Sequence, residues 1–250
     1  MAMLPLSRYA KGFKPGGYPS APDVGTDIPF RAETSDNYEV GFKGEFLERR
    51  LSANLAVYDI EIKNQQLQTI VFNSFNTPIA SVGNAGKSRS RGVEINIDAH
   101  PMKGLSLNAN AGFTDAKYIQ YVDTSGKNRA GEDFPYVPRR TASAGFDYEM
   151  PAVHEWTPSI GSTYKYVGPI LSGTGVDLDV QFPVPSYYQL DLRAGVAKDH
   201  WQFGAFVDNV TNQYIITRIW NTFFFPVPPG RPFAEVDPPR RYGVRATYNF

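Results

Sequence analysis

The chain has 250 residues with 25 Lys+Arg against 25 Asp+Glu, so its formal charge is zero and nothing draws it at long range to a polyanion such as nucleic acid. It has no cysteine, which removes disulfide scaffolds, thiolate metal sites and cysteine nucleophiles together. With 15 Tyr, 17 Phe, 22 Gly and 20 Pro, and no apolar run near the roughly 18 to 20 residues of a spanning helix, it reads as all-β and turn-rich, a description that also fits a transmembrane β-barrel.

A weak first strand is expected around Arg8 to Phe13. From Tyr38 the period becomes two: Tyr38, Val40, Phe42, Gly44 and Phe46 fall on one parity, with Glu39, Lys43 and Glu45 between them. Such alternation makes one apolar and one polar strand face. It recurs at Leu51–Val57, Val93–Ala99, Leu105–Phe113 and Ala142–Tyr148. The C-terminal part repeats it at Ile160–Tyr166, Tyr188–Val196, Trp201–Val207 and Tyr242–Phe250. The apolar-parity positions of these segments carry no charge, whereas the other parity carries Glu39, Lys43, Glu94, Asp98, Lys165, Asp191, Arg193 and Arg245. About ten strands are expected, and no segment holds a helical period.

The connections sort by length. Long ones at 14–35, 65–88, 119–138, 168–185 and 217–239 alternate with short ones at 48–50, 101–104, 150–155 and 199–200. Sandwiches have no reason to sort loops this way, but an up-and-down outer-membrane barrel does, with short periplasmic turns and long extracellular loops. In that orientation Tyr38, Phe113, Tyr164, Tyr166, Tyr188 and Tyr242 lie at the outer strand ends, and Phe46, Phe146, Tyr148, Trp156, Trp201 and Phe250 at the periplasmic ends. Two aromatic belts are what rings at headgroup level produce.

Several segments resemble the barrel of TonB-dependent outer-membrane receptors. They are Tyr9 to Gly17, Glu33 to Lys43, Asn84 to Glu94, Val137 to Ala142, Val207 to Tyr214 and the closing Pro239 to Phe250, with the resemblance strongest over 30–250. The resemblance implies an all-β, antiparallel up-and-down transmembrane β-barrel segment of about ten strands in the bacterial outer membrane. It also implies uptake of a scarce bulky solute, an iron-siderophore complex foremost, with no covalent chemistry and no cofactor. The partners it implies are outer-membrane lipid, the inner-membrane TonB complex, the outer-membrane insertion machinery and a ligand such as a ferric siderophore. Complete members have 22 strands, a plug domain and a signal peptide. None of the last two is recognisable here, so the chain is expected to be a C-terminal barrel portion that joins an N-terminal barrel and plug segment. The terminal aromatics Tyr242, Tyr248 and Phe250 resemble the signal read by the insertion machinery.

Solute contacts are expected in the outer loops: Trp220, Phe223, Phe224, Phe225 and Arg231 in the last, and Tyr121 and Arg129 in an earlier one, with Tyr118 and Tyr136 beside them. Aromatic faces plus guanidinium suit a flat, anionic ligand. Packing of the loops on one another is the competing reading. The charged parity would line the barrel interior, where its work is pairing or a polar track for solute. His100, His154 and His200 sit in or beside different short turns, so no metal or catalytic constellation is expected from them. Two other readings stay open from the residues: a freestanding ten-stranded outer-membrane barrel acting as adhesin or enzyme, and a soluble all-β binding module.

Overall fold

The computed structural model of the chain describes residues 2–18, 29–72, 75, 78–84, 86–123, 126–174, 177–220 and 232–250. The strands are β1 (Ala2–Lys14), β2 (Glu33–Phe46), β3 (Leu51–Lys63), β4 (Gln66–Phe72), β5 (Pro78–Asn84), β6 (Lys87–Met102), β7 (Leu105–Gln120) and β8 (Arg140–Glu149). They continue with β9 (Thr157–Val167), β10 (Ile170–Thr174), β11 (Asp177–Val184), β12 (Tyr187–Lys198), β13 (Trp201–Asp208), β14 (Ile216–Trp220), β15 (Phe233–Val236) and β16 (Arg241–Tyr248). No helix occurs among the described residues. Ten strands form one antiparallel sheet in the order β1-β2-β3-β6-β7-β8-β9-β12-β13-β16, a pure up-and-down meander. β1 and β16 are its two edges, and the sheet is not closed.

The expected ten strands are the ten of this sheet, with two corrections. β1 is longer than the Arg8 to Phe13 run, because its ladder with β2 extends from Ala2↔Glu45 to Lys14↔Glu33 although Pro5 and Ser7 break its hydrophobic pattern. An edge strand tolerates such residues. Three of the long connections, expected as loops, contain hairpins of their own: β4–β5, β10–β11 and β14–β15. Their strands are only four to eight residues long, and those of β4–β5 and β10–β11 carry Gly, Pro or Gln within them, so no sustained alternation announces them.

Cross-strand register tests the face assignment strand by strand. Val40 pairs with Val57, Val57 with Val93, and Val93 with Phe113. Ala111 pairs with Ala142, Ala142 with Tyr166, and Tyr166 with Tyr188. Ala194 pairs with Ala205, and Ala205 with Val244. Every apolar parity read from the sequence therefore falls on one and the same face of the sheet, since a slip by a single residue anywhere would have moved the rest to the other side.

That face covers no core. Leu55, Ile95, Leu107 and Leu192 are each about 40% exposed, and Val244 is 87% exposed. The buried apolar side chains among the described residues are Ala116, Tyr118, Val184 and Ile215, all at the end of the molecule that carries the long loops. A water-soluble sandwich buries its apolar face against a second sheet, whereas among the described residues the other sheets are two-stranded hairpins within the long connections. The apolar run Leu105–Phe113 spans roughly 27 Å of strand at about 3.4 Å per residue, and a tilt of about 40° brings its height close to the apolar band of a membrane barrel.

The short turns make the opposite rim. The left-handed residues Leu47, Glu48 and Arg49 turn β2 into β3, His154 and Glu155 turn β8 into β9, and Asp199 turns β12 into β13. Gly104, with φ of 81°, turns β6 into β7, where a Cβ would lie 2.1 Å from the Glu149 carbonyl oxygen. The three histidines lie in or beside separate turns: His100, near the end of β6, has its Nδ1 3.1 Å from Ser106 Oγ, and the His200 ring lies 5.6 Å from that of Tyr248.

Candidate functional site

The polar face of the sheet is built by the same registers. Glu39, Lys43, Glu94, Asp98, Lys165, Asp191, Arg193 and Arg245 all lie on it. One cross-strand row holds Lys43, Asn54, Asn96, Asn110, Ser143, Lys165 and Gln189. Part of it lines a hollow of about 330 Å³ together with Glu94. A larger hollow of about 700 Å³ is lined by Asp147, Arg193, Gln202, Arg245 and Thr247.

Glycine decides how charges meet on this face. Asp147, Gly161 and Arg193 are opposite one another on β8, β9 and β12. Arg193 reaches across the middle strand to Asp147 with Nε–Oδ1 and Nη2–Oδ2 distances of 2.8 and 2.5 Å, a bidentate pair. A Cβ on Gly161 would come within 2.6 Å of both partners, so the pair exists only because that strand has no side chain there. Tyr58 does the same over Gly92, its hydroxyl 2.9 Å from Thr114 Oγ1. Asp191 is spent locally: it accepts from Gln189 Nε2 at 2.9 Å and from the Asn209 backbone N–H at 2.8 Å. The buried Asn209 side chain then closes the following turn through both the N–H and the carbonyl of Gln213.

At the opposite end from the short turns, the long connections pack on one another. Ser172 of β10 is fully buried against β14, where its hydroxyl donates to the Ile219 carbonyl and accepts from the Ile219 N–H at 2.8 Å. The Tyr136 N–H donates to the Leu171 carbonyl at 2.8 Å, which ties the 121–139 loop to the same hairpin. Tyr136 is held at φ of 64°, and the Arg218 guanidinium of β14 lies 4.8 Å from its ring centroid, within cation–π range. Three connections are therefore joined through one serine, one strained tyrosine and one exposed arginine. Tyr136 stood among the expected mouth residues; Ser172 and Arg218 did not, because their hairpins carry no alternation to mark them.

The other expected contacts separate. Arg129 is 2% exposed, and its guanidinium is spent inside its own loop: Nε donates to Asp123 Oδ2 at 2.7 Å and Nη1 lies 3.5 Å from Glu132. Sequence reasoning offered this cation to solute, whereas the loop needs it to neutralise its own carboxylates. Tyr121 is half-buried with its ring 5.0 Å from that of Tyr118. Burial, reinforced by Asp123, holds its hydroxyl above the ordinary phenol range, so it is a neutral donor at physiological pH. Trp220 ends β14 opposite Phe233 of β15. Phe223, Phe224, Phe225 and Arg231 lie outside the described residues. Of the terminal aromatics, Tyr242 is exposed on the apolar face, and Tyr248 lies between Trp201, tilted to it at 4.9 Å, and Phe250, edge-on at 5.2 Å.

Replacing Ser172 by Ala leaves the Ile219 N–H and carbonyl buried without their partner, at about 1–3 kcal/mol. Faster amide exchange confined to 216–220, with the ten-stranded sheet unchanged, is the expected result.

The family model described as TonB dependent receptor-like, beta-barrel, matches residues 6–210. The chain belongs to this family. As a TonB-dependent receptor barrel it is an outer-membrane protein, and the apolar face described above is its lipid face. The pesticin receptor of Yersinia enterocolitica is 31% identical over 141 residues, 55% of this chain and 19% of that receptor. The metal-pseudopaline receptor of Pseudomonas aeruginosa is 27% identical over 228 residues, 89% of this chain and 29% of that one. The crystal structure of the ferric yersiniabactin uptake receptor from Yersinia pestis superposes with a TM-score of 0.79 at 24% identity, over 99% of this chain and 35% of that chain. The chain thus spans about a third or less of the length of these relatives. All three are receptors by name, not enzymes.

Proposed function

We propose that this chain supplies ten strands and several outer loops of a receptor that takes up a metal chelate, a ferric siderophore foremost, with energy delivered through TonB. The joined outer loops carry the reading: Ser172, Tyr136 and Arg218 hold an aromatic ring and an exposed cation together at the extracellular end of the sheet, a combination that suits a flat, anionic chelate. The uptake and receptor names of the relatives support it. Phe223, Phe224, Phe225 and Arg231, which lie outside the described residues, are offered as solute contacts on the chemistry of their side chains.

The unpaired edges of β1 and β16 support a larger barrel, since lipid tolerates no open sheet edge. In that barrel Glu39, Lys43, Glu94, Asp98, Lys165, Asp191, Arg193 and Arg245 face the wet interior, where a plug and the passing solute meet them. Tyr242, Tyr248 and Phe250 serve the insertion machinery.

The test is binding of a panel of ferric siderophores to the complete receptor, with Arg218→Ala and Tyr136→Ala against Lys198→Ala at the opposite rim. A loss of about tenfold for each mouth variant, as expected for a desolvated cation or ring contact, supports the reading, together with uptake that stops when TonB is absent. Unchanged affinity for every chelate in both mouth variants overturns it.

A further inference from the structure

The lipid-parity face does not end where its apolar run ends. Beyond the belt residues Tyr9, Tyr38 and Phe113, the same face continues on β1, β2, β3, β6 and β7 as an ordered band of charge. Lys11, Asp36, Glu61, Arg89 and Lys117 form one cross-strand row. Asp59, Arg91 and Asp115 form the next, below it, in line with Tyr38. The groups are linked laterally: Tyr9 hydroxyl to Asp36 at 2.7 Å, Lys63 to Asp36 at 3.2 Å, Lys87 to Glu61 at 2.7 Å, Arg89 to Asp59, and Lys117 to Asp115 at 3.0 Å.

Both rows mix the two signs, and in two of the pairs the cation is much the more exposed partner: the Arg91 side chain is 58% and the Lys63 side chain 52% exposed, against 18% and 20% for Asp115 and Asp36. The carboxylates hold the cations at fixed positions and the cations present the surface. With Lys11, Lys63, Lys87, Arg89, Arg91 and Lys117 against Asp36, Asp59, Glu61 and Asp115, positive charge is in excess. On the other half of the sheet the same face carries the single cation Arg140 opposite Phe113 on β8, and then, among the described residues, Tyr166, Tyr188 and Tyr242 at the outer strand ends.

We propose that this band is a docking surface for the phosphorylated headgroups of outer-leaflet glycolipid. The charge sign matches, the surface is continuous with the lipid face, and the level is that of the headgroups, one to two pleats beyond the aromatic belt. Guanidinium and ammonium groups already held in place lose little freedom when they bind phosphate oxygens, and Arg takes them bidentately. Juxtamembrane Lys and Arg clusters act on anionic headgroups in the same way. The inference rests on the outer-membrane placement of the chain and is independent of the solute it serves.

Native mass spectrometry of the detergent-purified protein, titrated with bisphosphorylated and with dephosphorylated lipid A, tests it. The unaltered protein is expected to bind the bisphosphorylated form at least about tenfold more tightly, a preference carried by charge-assisted bonds. The triple change Arg89→Gln, Arg91→Gln, Lys117→Gln abolishes that preference, and Lys198→Gln at the periplasmic rim keeps it. Equal binding of the two lipids by the unaltered protein overturns the proposal whatever the variants do, as does a folded triple variant that retains the preference.

Discussion

Leu192→Arg and Leu55→Arg are expected to cut the amount of chain assembled in the outer membrane severely, while Asn96→Arg and Asn108→Arg leave it near the unaltered level. Leu192 is the middle apolar-face residue of β12, between Tyr188 and Val196, and Leu55 lies two residues inside Val57 on β3. Both are open to the surroundings, Leu55 at 40% and Leu192 at 43% exposure among the described residues. An arginine there meets hydrocarbon at about 2–4 kcal/mol, which is a factor of roughly 30 to 1000 in the insertion equilibrium at 1.4 kcal/mol per tenfold. Asn96 and Asn108 sit on neighbouring strands at similar heights but on the polar face. Folded, heat-modifiable protein in outer-membrane fractions is the readout, and equal loss on the two faces would contradict the register.

Gly92→Val is expected to destabilise the sheet by about 2–4 kcal/mol, although Gly92 looks like an ordinary strand position just before Val93, Ile95 and Ile97. A Cβ at Gly92 would lie 2.3 Å from the Phe113 carbonyl oxygen and 2.6 Å from the Tyr58 hydroxyl. The first contact is with backbone and forces β6 and β7 apart, at about 1–3 kcal/mol for overpacking. The second displaces the Tyr58 ring and breaks its bond to Thr114, worth about 1 kcal/mol. Tyr58→Phe removes that bond alone and should cost only about 1 kcal/mol. Urea unfolding of detergent-solubilised protein separates the two, and a Gly92→Val variant as stable as Tyr58→Phe would mean that the strands yield freely.

These two expectations draw on different information. The identity of the lipid face at Leu192 and Leu55 was readable from alternation, because a strand in lipid must present apolar groups at every second position and any charge there is expelled. The role of Gly92 was invisible, because the residue that needs its empty space, Tyr58, lies 34 positions away in the chain and only the β3–β6 register brings them together. The same holds for Gly161, whose absence of a side chain lets Arg193 reach Asp147. Arg129 is the reverse case: arginine in an aromatic loop looks like a ligand group until Asp123 and Glu132 are found against it.

The charged band on the outer face shows how far a period can be followed. The apolar run ends at Val57, Val93 and Phe113, and the same parity then continues with Asp59, Glu61, Arg91, Arg89, Asp115 and Lys117. Carrying each register past its last apolar residue would have located the band, though not which cation lies above which carboxylate.

The ten strands of the main sheet, their faces, the loop alternation and the family were determined by the sequence itself, since each follows from a local period of two and from loop length, quantities that neighbouring residues set. Tertiary structure alone decided which glycines make room, which carboxylates hold which cations, that Ser172 joins two hairpins, and that the edges of β1 and β16 stand open. Those features depend on contacts across strands, where placement is fixed by the register of the whole sheet and not by any one segment.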